Sequence, residues 1–223
     1  MFRWQPDRPA RVTTPPAADF LEDATVYGHL RVPLSGSPES PTDSATIQVY
    51  RDAVQSELDG PTGWLGRCLI TQTLEMQLDA FPRWCGADRR GRRYPGADAP
   101  ILLPCPPVQS VTSIAYLDGN GDTQTLAASA YTLVNNGANK SEIAPAYGTV
   151  WPETRDIEAA VTVTWVAGYG ATAADVPPDI VAAGLLLLQD LYENRTAQEL
   201  GTALQHNETV TRLLTKFRVQ GFG

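Results

Sequence analysis

Apolar and polar residues change rhythm twice along the chain, and the two changes set the expected architecture. From a cap expected near Asp43 the apolar positions are Ile47, Tyr50, Val54 and Leu58, spaced three to four apart as on one face of a helix. Gly60-Pro61 then stops the pattern. In TLEMQLDA, Leu74, Met76, Leu78 and Ala80 alternate with Thr73, Glu75, Gln77 and Asp79, the period of a strand with one buried face. Further strands are expected over 101–104, 108–117, 123–126, 130–134 and 161–170, with Val161, Val163 and Trp165 on one side.

The helical rhythm returns after Pro177-Pro178, a pair suited to a helix start. Over 179–194 it carries two apolar stripes. Ile180, Gly184, Leu187 and Leu191 form one; Val181, Leu185, Leu188 and Tyr192 form the other. A helix apolar on two sides must be covered on two sides, by its own bundle or by a neighbouring subunit. A last helix over 208–217 aligns Val210, Leu213, Leu214 and Phe217, with Asn207 placed to cap it. A first short helix fits 19–30, with Phe20, Ala24 and Tyr27 on one face.

Helices, then strands, then helices predict an α+β chain. Both chain ends build one small helical bundle (17–66 and 175–223), and a β module (67–174) is inserted between them. The strands are joined by turns, so the module should be mostly antiparallel. Residues 1–16, rich in Pro and Arg, read as an extended N-terminal arm, and 31–42 as a Pro/Ser/Gly linker.

Composition narrows the class. A net charge of −8 over 223 residues argues against wholesale coating of nucleic acid. Cys68, Cys85 and Cys105 are too few and too widely spaced for a disulfide framework or a zinc site, and read as free thiols. No signal peptide is recognisable at the N-terminus, and the longest apolar block, 180–188, is too short to span a bilayer. The expectation is a soluble protein made in the cytosol, with no membrane partner. The Asn-x-Ser/Thr triplets at Asn139, Asn194 and Asn207 are then chance matches.

Candidate chemistry is sparse. YLDGNGDT places Asp118, Asn120 and Asp122 at calcium-loop spacing, but Thr123 stands where a Gly is needed and Ser129 where a bidentate Glu is needed. The stretch reads as a hairpin turn. Gly168-Tyr169-Gly170-Ala171-Thr172-Ala173 imitates a dinucleotide loop, yet no βαβ unit follows it, so it reads as a strand exit. His29 and His206 have no ligand-spaced neighbours, and His29 reads as a satisfied structural residue. No catalytic residue, metal site or cofactor is expected. The exception to blandness is the stretch 83–98. Arg83, Arg89, Arg90, Arg92 and Arg93 place five of the 17 basic residues within eleven positions, as a solvated loop or as a contact for DNA phosphates or an acidic partner.

The ordered series ITQTLEMQLDAFP, ILLPCPPVQSVTSIAYLDGNGDTQTL, IAPAYGTVWPETR, AVTVTWVAGYG and VPPDIVAAGLLLLQDLYENR resembles the head–tail connector (adaptor) proteins of tailed bacteriophages and of phage-like gene transfer agents. TPPAADFLEDATVYGHLRV and LLTKFRV extend the likeness over most of 13–219. Each piece alone is weak; the order is the signal. The stretches 36–41 and 83–98 are longer than the family pattern.

That resemblance implies a virion protein, assembled in the host cytoplasm and placed at the head–tail interface. It implies a ring, twelve-fold where the portal is, that extends the DNA channel beneath the portal protein and joins the capsid to a stopper or tail-terminator protein. Double-stranded DNA would pass without sequence recognition. Leu213, Leu214, Phe217, Arg218 and Val219 would bind the portal. Val181, Leu185, Leu188 and Tyr192 would make subunit or bundle contacts, and Arg89, Arg90, Arg92 and Arg93 would face DNA or an acidic partner. The reading from a different class is a soluble enzyme or nucleotide-binding protein with an unrecognised site.

Overall fold

A computed structural model describes residues 9–35, 40–83, 98–135, 139–194 and 208–219. In chain order its elements are β1 (Arg11–Thr14), α1 (Asp23–Leu30), β2 (Leu34–Ser35), β3 (Ser40–Pro41), α2 (Ser44–Leu58), β4 (Gln72–Leu78), β5 (Ile101–Leu103), β6 (Val108–Leu117), β7 (Thr123–Thr125), β8 (Tyr131–Asn135), β9 (Ser141–Pro145), β10 (Val161–Ala167), α3 (Pro178–Glu193) and α4 (Glu208–Thr215). The α+β class holds, with helices from both ends of the chain packed together and an antiparallel β module inserted between them in sequence.

The larger sheet runs β1-β4-β10-β6-β7, and β5-β9-β8 form a second. Alternation sets its inner face. Trp165 pairs with Leu74, Val163 with Met76 and Val161 with Leu78, and all six side chains are buried. Ile101, Leu103 and Ile143 of the second sheet close over the same core, with Trp151 stacked on Phe81 at 5.0 Å. Ala80 lies beyond the strand end and is exposed.

A second core belongs to the helices. Ile180, Ala183, Gly184 and Leu188 are the buried line of α3, which packs against α1, α2 and α4. Phe20 and Leu21 enter from before α1, Ile47, Val54 and Leu58 from α2, Val210 and Leu214 from α4, and Leu65, Leu69 and Ile70 from the segment leading into the sheet. A Cβ at Gly184 would stand 2.8 Å from the Phe20 ring, so the glycine lets that ring sit on α3.

Several expectations need correction. Residues 11–14 of the expected arm are an edge strand, tied to β4 through Arg11 and Glu75 at 2.7 Å. The first helix starts at Asp23, because Phe20 and Leu21 go into the core ahead of it. Its buried residue is Val26, and Ala24 is exposed. The 31–42 linker contains the short pair β2–β3. Asp43 makes no side-chain cap on α2; its carboxylate accepts from the Tyr192 hydroxyl at 2.8 Å and ties α2 to α3. Arg51 lies on the buried face of α2 between Ile47 and Val54. It holds Asp19, Asp23 and the Leu21 carbonyl, which offsets burying its charge. Arg89, Arg90, Arg92, Arg93, Cys85, His206 and the Asn207 cap lie outside the described residues.

Candidate functional site

The C-terminal strip lies against its own chain. Leu214 is buried in the helical core at 3% exposure, while Leu213 and Phe217 pack on it half-buried. The chain then crosses residues 64–67. Val219 donates its amide to the Leu65 carbonyl at 2.9 Å, and Arg218 lies over the Trp64 ring at 4.5 Å. Arg67, wholly buried, is the fixing point. Its guanidinium donates to the Phe217 carbonyl, the Tyr169 hydroxyl and Asn139 Oδ1, each at 2.6 Å. Burial lowers the Arg67 pKa from its ordinary value, and burial likewise raises that of Tyr169. Of the five residues in this strip, Leu213, Phe217, Arg218 and Val219 keep surface in this conformation, Arg218 most openly, and Leu214 does not.

The stripe Val181, Leu185, Leu188 and Tyr192 packs within the chain's own helical core, Leu188 at its centre. From the other stripe, Leu191 is 40% exposed. The α3 helix is thus the middle of the bundle, with one large apolar residue, Leu191, left at its outer edge.

YLDGNGDT forms the expected hairpin, with Leu117 opposite Thr123. Asp118 Oδ1 accepts the amides of Asn120 and Asp122, and Oδ2 accepts from the Gln124 side chain. The carboxylate that would lead a calcium loop is engaged within its own turn, and the Gln124 hydrogen bond is the main cause that lowers its pKa. The glycines of Gly168-Tyr169-Gly170 also serve the fold. The Gly168 amide donates to the Pro107 carbonyl and the Tyr169 amide to the Leu69 carbonyl, so two donors that a phosphate would need are engaged. Gly168 has φ +135°, and a Cβ there would stand 2.6 Å from the Ile70–Thr71 backbone. His29, expected to be satisfied, has Nε2 buried without a hydrogen bond. Among the described residues no group of three His, Cys, Asp or Glu is arranged to hold a metal ion, and no helix is long and apolar enough to cross a membrane.

The basic stretch has a built base. Arg83 and Asp98 form a bridge and a long ion pair at 3.9 Å, and the Ala99 amide reaches the Pro82 carbonyl. Arg83 is therefore engaged at the neck of this stretch. Trp151 is fastened to the same neck by its amide to Asp98 and its indole to the Ala99 carbonyl. Just before this anchored Trp, Tyr147 is fully exposed and Val150 is 78% exposed. Two large apolar side chains held out on an anchored turn are a surface the sequence reading missed. The signal was present in AYGTVW, where Gly148 takes φ +78° to make the turn between the two exposed residues.

Comparison with solved structures places this architecture. The fold is shared with chains of gene transfer agent particles. The first similar structure is a chain in the neck of an empty gene transfer agent particle computed with C6 symmetry, with TM-score 0.69, 23% identity and coverage of 94% of this chain and 95% of that one. A chain in the virion of a native gene transfer agent particle aligns with TM-score 0.63 at 22% identity, over 96% and 99% of the two chains. A chain in the neck of a native particle computed with C12 symmetry aligns with TM-score 0.62 at 20% identity, over 94% of each. No protein-family model matches the sequence, and no curated protein matches it.

Proposed function

We propose that the chain is a structural head–tail adaptor. Copies of it, twelve where the portal is twelve-fold, form a ring beneath the portal, extend the DNA channel and receive a stopper or tail-terminator protein. The carrying observation is the shared fold over nearly the full length of both chains, two of the three chains described above coming from particle necks. The role calls for shape and contact surfaces rather than catalysis, in keeping with the sequence, where no catalytic motif was recognised. In this reading the chain sits in the virion at the head–tail interface, and DNA slides past a protein of net charge −8 without sequence contacts.

Two surfaces of the molecule suit two kinds of contact. Leu213, Phe217, Arg218 and Val219 would meet the portal, with Leu214 and Arg67 holding that segment to the bundle. Tyr147 and Val150, at the neck fixed by Asp98 and Trp151, would meet the next component down, and Arg89, Arg90, Arg92 and Arg93 would face DNA or an acidic surface.

The test is light scattering of the purified chain with and without its portal. A ring on the portal is expected, and deletion of 207–223 should abolish it while the β module stays folded. Because that deletion also removes Val210 and Leu214 from the core, Arg218→Glu, an exposed change, is the cleaner probe and should weaken binding several-fold. A chain that never co-elutes with portal, or binds it equally with Arg218→Glu and with the deletion, overturns the assignment.

A further inference from the structure

Two of the three cysteines meet inside the protein. Strands β4 and β6 are not neighbours, since β10 runs between them. Beyond the end of β10, at Gly168, the chains on either side converge. The Gln109 side chain bridges them, donating to Thr71 Oγ1 at 2.8 Å and to the Gly168 carbonyl at 2.9 Å. The Gly168 and Tyr169 amides bond outward to Pro107 and Leu69, one to each side. Cys68 lies on one of these converging segments and Cys105 on the other. Both are buried, at 0% and 3% exposure, as free thiols in the core of the β module. Cys105 takes φ +59°, a left-handed conformation costly for a residue with a Cβ. The two sulfurs face one another across this convergence, within reach of a thiol–thiol contact.

We propose that Cys68 and Cys105 are a dithiol that closes to an intrachain disulfide when the protein meets a two-electron oxidant such as hydrogen peroxide. One sulfur attacks the peroxide oxygen, becomes a sulfenic acid and releases water. The second sulfur attacks the first and releases a second water, so two thiols and one peroxide yield one disulfide and two waters. The bond would close the loop of residues 69–104 and staple the segment entering β4 to the turn entering β6. The contact with Cys105, with burial, pushes the Cys68 thiol up. The thiolate is scarce, and closure is slow. The pair is a lock that accumulates during long exposure to an oxidising medium, rather than a fast sensor. It concerns this chain alone and forms whether or not a ring is built.

Intact protein treated with peroxide under native conditions, then denatured, should show one free thiol where the reduced protein shows three. Its non-reduced digest should contain one cross-linked peptide joining Cys68 to Cys105, and Cys85→Ser protein should give the same peptide. The oxidised protein should melt roughly 10 °C above the reduced form, the scale expected for closing a loop of this length. Cys105→Ser should abolish both the peptide and the oxidant-dependent shift. Three thiols remaining after prolonged oxidation, or a cross-link through Cys85 instead, overturns the proposal. Because the wild-type digest is decisive, a poorly folding serine variant does not blunt the test.

Discussion

The guanidinium of Arg67 donates to the main-chain oxygen of Phe217, 150 residues away, at 2.6 Å. This contact fastens the last described segment to the junction between bundle and β module. A neutral side chain at 67 leaves three acceptors to find other donors, so Arg67→Ala should destabilise by about 2–4 kcal/mol. Arg67→Lys should recover little of it, since one ammonium cannot reproduce the fork. Thermal melts with hydrogen exchange are the check. Protection should fall first over 208–219 and persist in β4 and β10. An Arg67→Lys protein with wild-type melting would show that the fork is not needed.

Gly184 offers a test of packing against propensity. Alanine is the better helix former by about 1 kcal/mol, yet its Cβ would stand 2.8 Å from Phe20 Cε2. Overpacking of this kind typically costs about 1–3 kcal/mol. Gly184→Ala should therefore be destabilising, and Phe20→Leu should cost less in its presence than alone. A stabilised Gly184→Ala in denaturant titration would mean that the ring moves aside freely.

Asp59, half-buried at the end of α2, accepts the Leu69 amide at 2.7 Å and the Gln72 side chain at 3.0 Å. Burial raises its pKa to about 6. The folded state therefore holds a proton that the unfolded chain, near 3.8, releases. The sign follows: this contribution to stability is full below pH 4 and is lost as pH rises through 6. The change is on the order of 3 kcal/mol at most. Asp59→Asn keeps the acceptor and removes the titration. Relative to wild type it should gain stability between pH 4 and 7, and parallel stability curves would refute this.

Replacing Arg89, Arg90, Arg92 and Arg93 with Ser tests the basic stretch in the proposed role. Stability should change by no more than about 0.5 kcal/mol. Assembled particles should retain less DNA or join tails less often, and a binding defect measured in solution should shrink at high salt. Particles that fill, hold DNA and infect normally would mark the stretch as solvated surface.

Legibility followed burial. In β4 and β10 one face is buried and the other half-covered, so alternation announced both strands and their inward sides. Strand β1 is exposed at every position, and β9 puts a Ser and an Ile on its buried side and ends in Pro145, so neither carries a clear apolar alternation. Nothing in the local pattern marks Arg51 as buried, because its partners, Asp19 and Asp23, lie 28 to 32 positions earlier, beyond any helical period. The C-terminal apolar strip was visible, but what covers part of it was not. An amphipathic pattern reports that a face is buried, not against what. Tyr147 and Val150 were missed for the opposite reason: their only signal was the turn glycine between them, and apolar residues in a turn match no buried period.

The division of the interior into two cores gives biosynthesis an order. Every strand of the larger sheet lies within residues 11–167, so the β core can condense while the ribosome is still adding the rest. The helical core cannot. It lacks its central helix until α3 emerges, and it lacks Val210, Leu214 and the Phe217 carbonyl for Arg67 until the last turn is made. For that interval Phe20, Leu21, Ile47 and Leu58 are apolar surface on a nascent chain. The first helices are thus the stretch most in need of a chaperone, and a ribosome stalled before residue 208 would hold a finished sheet carrying an open bundle.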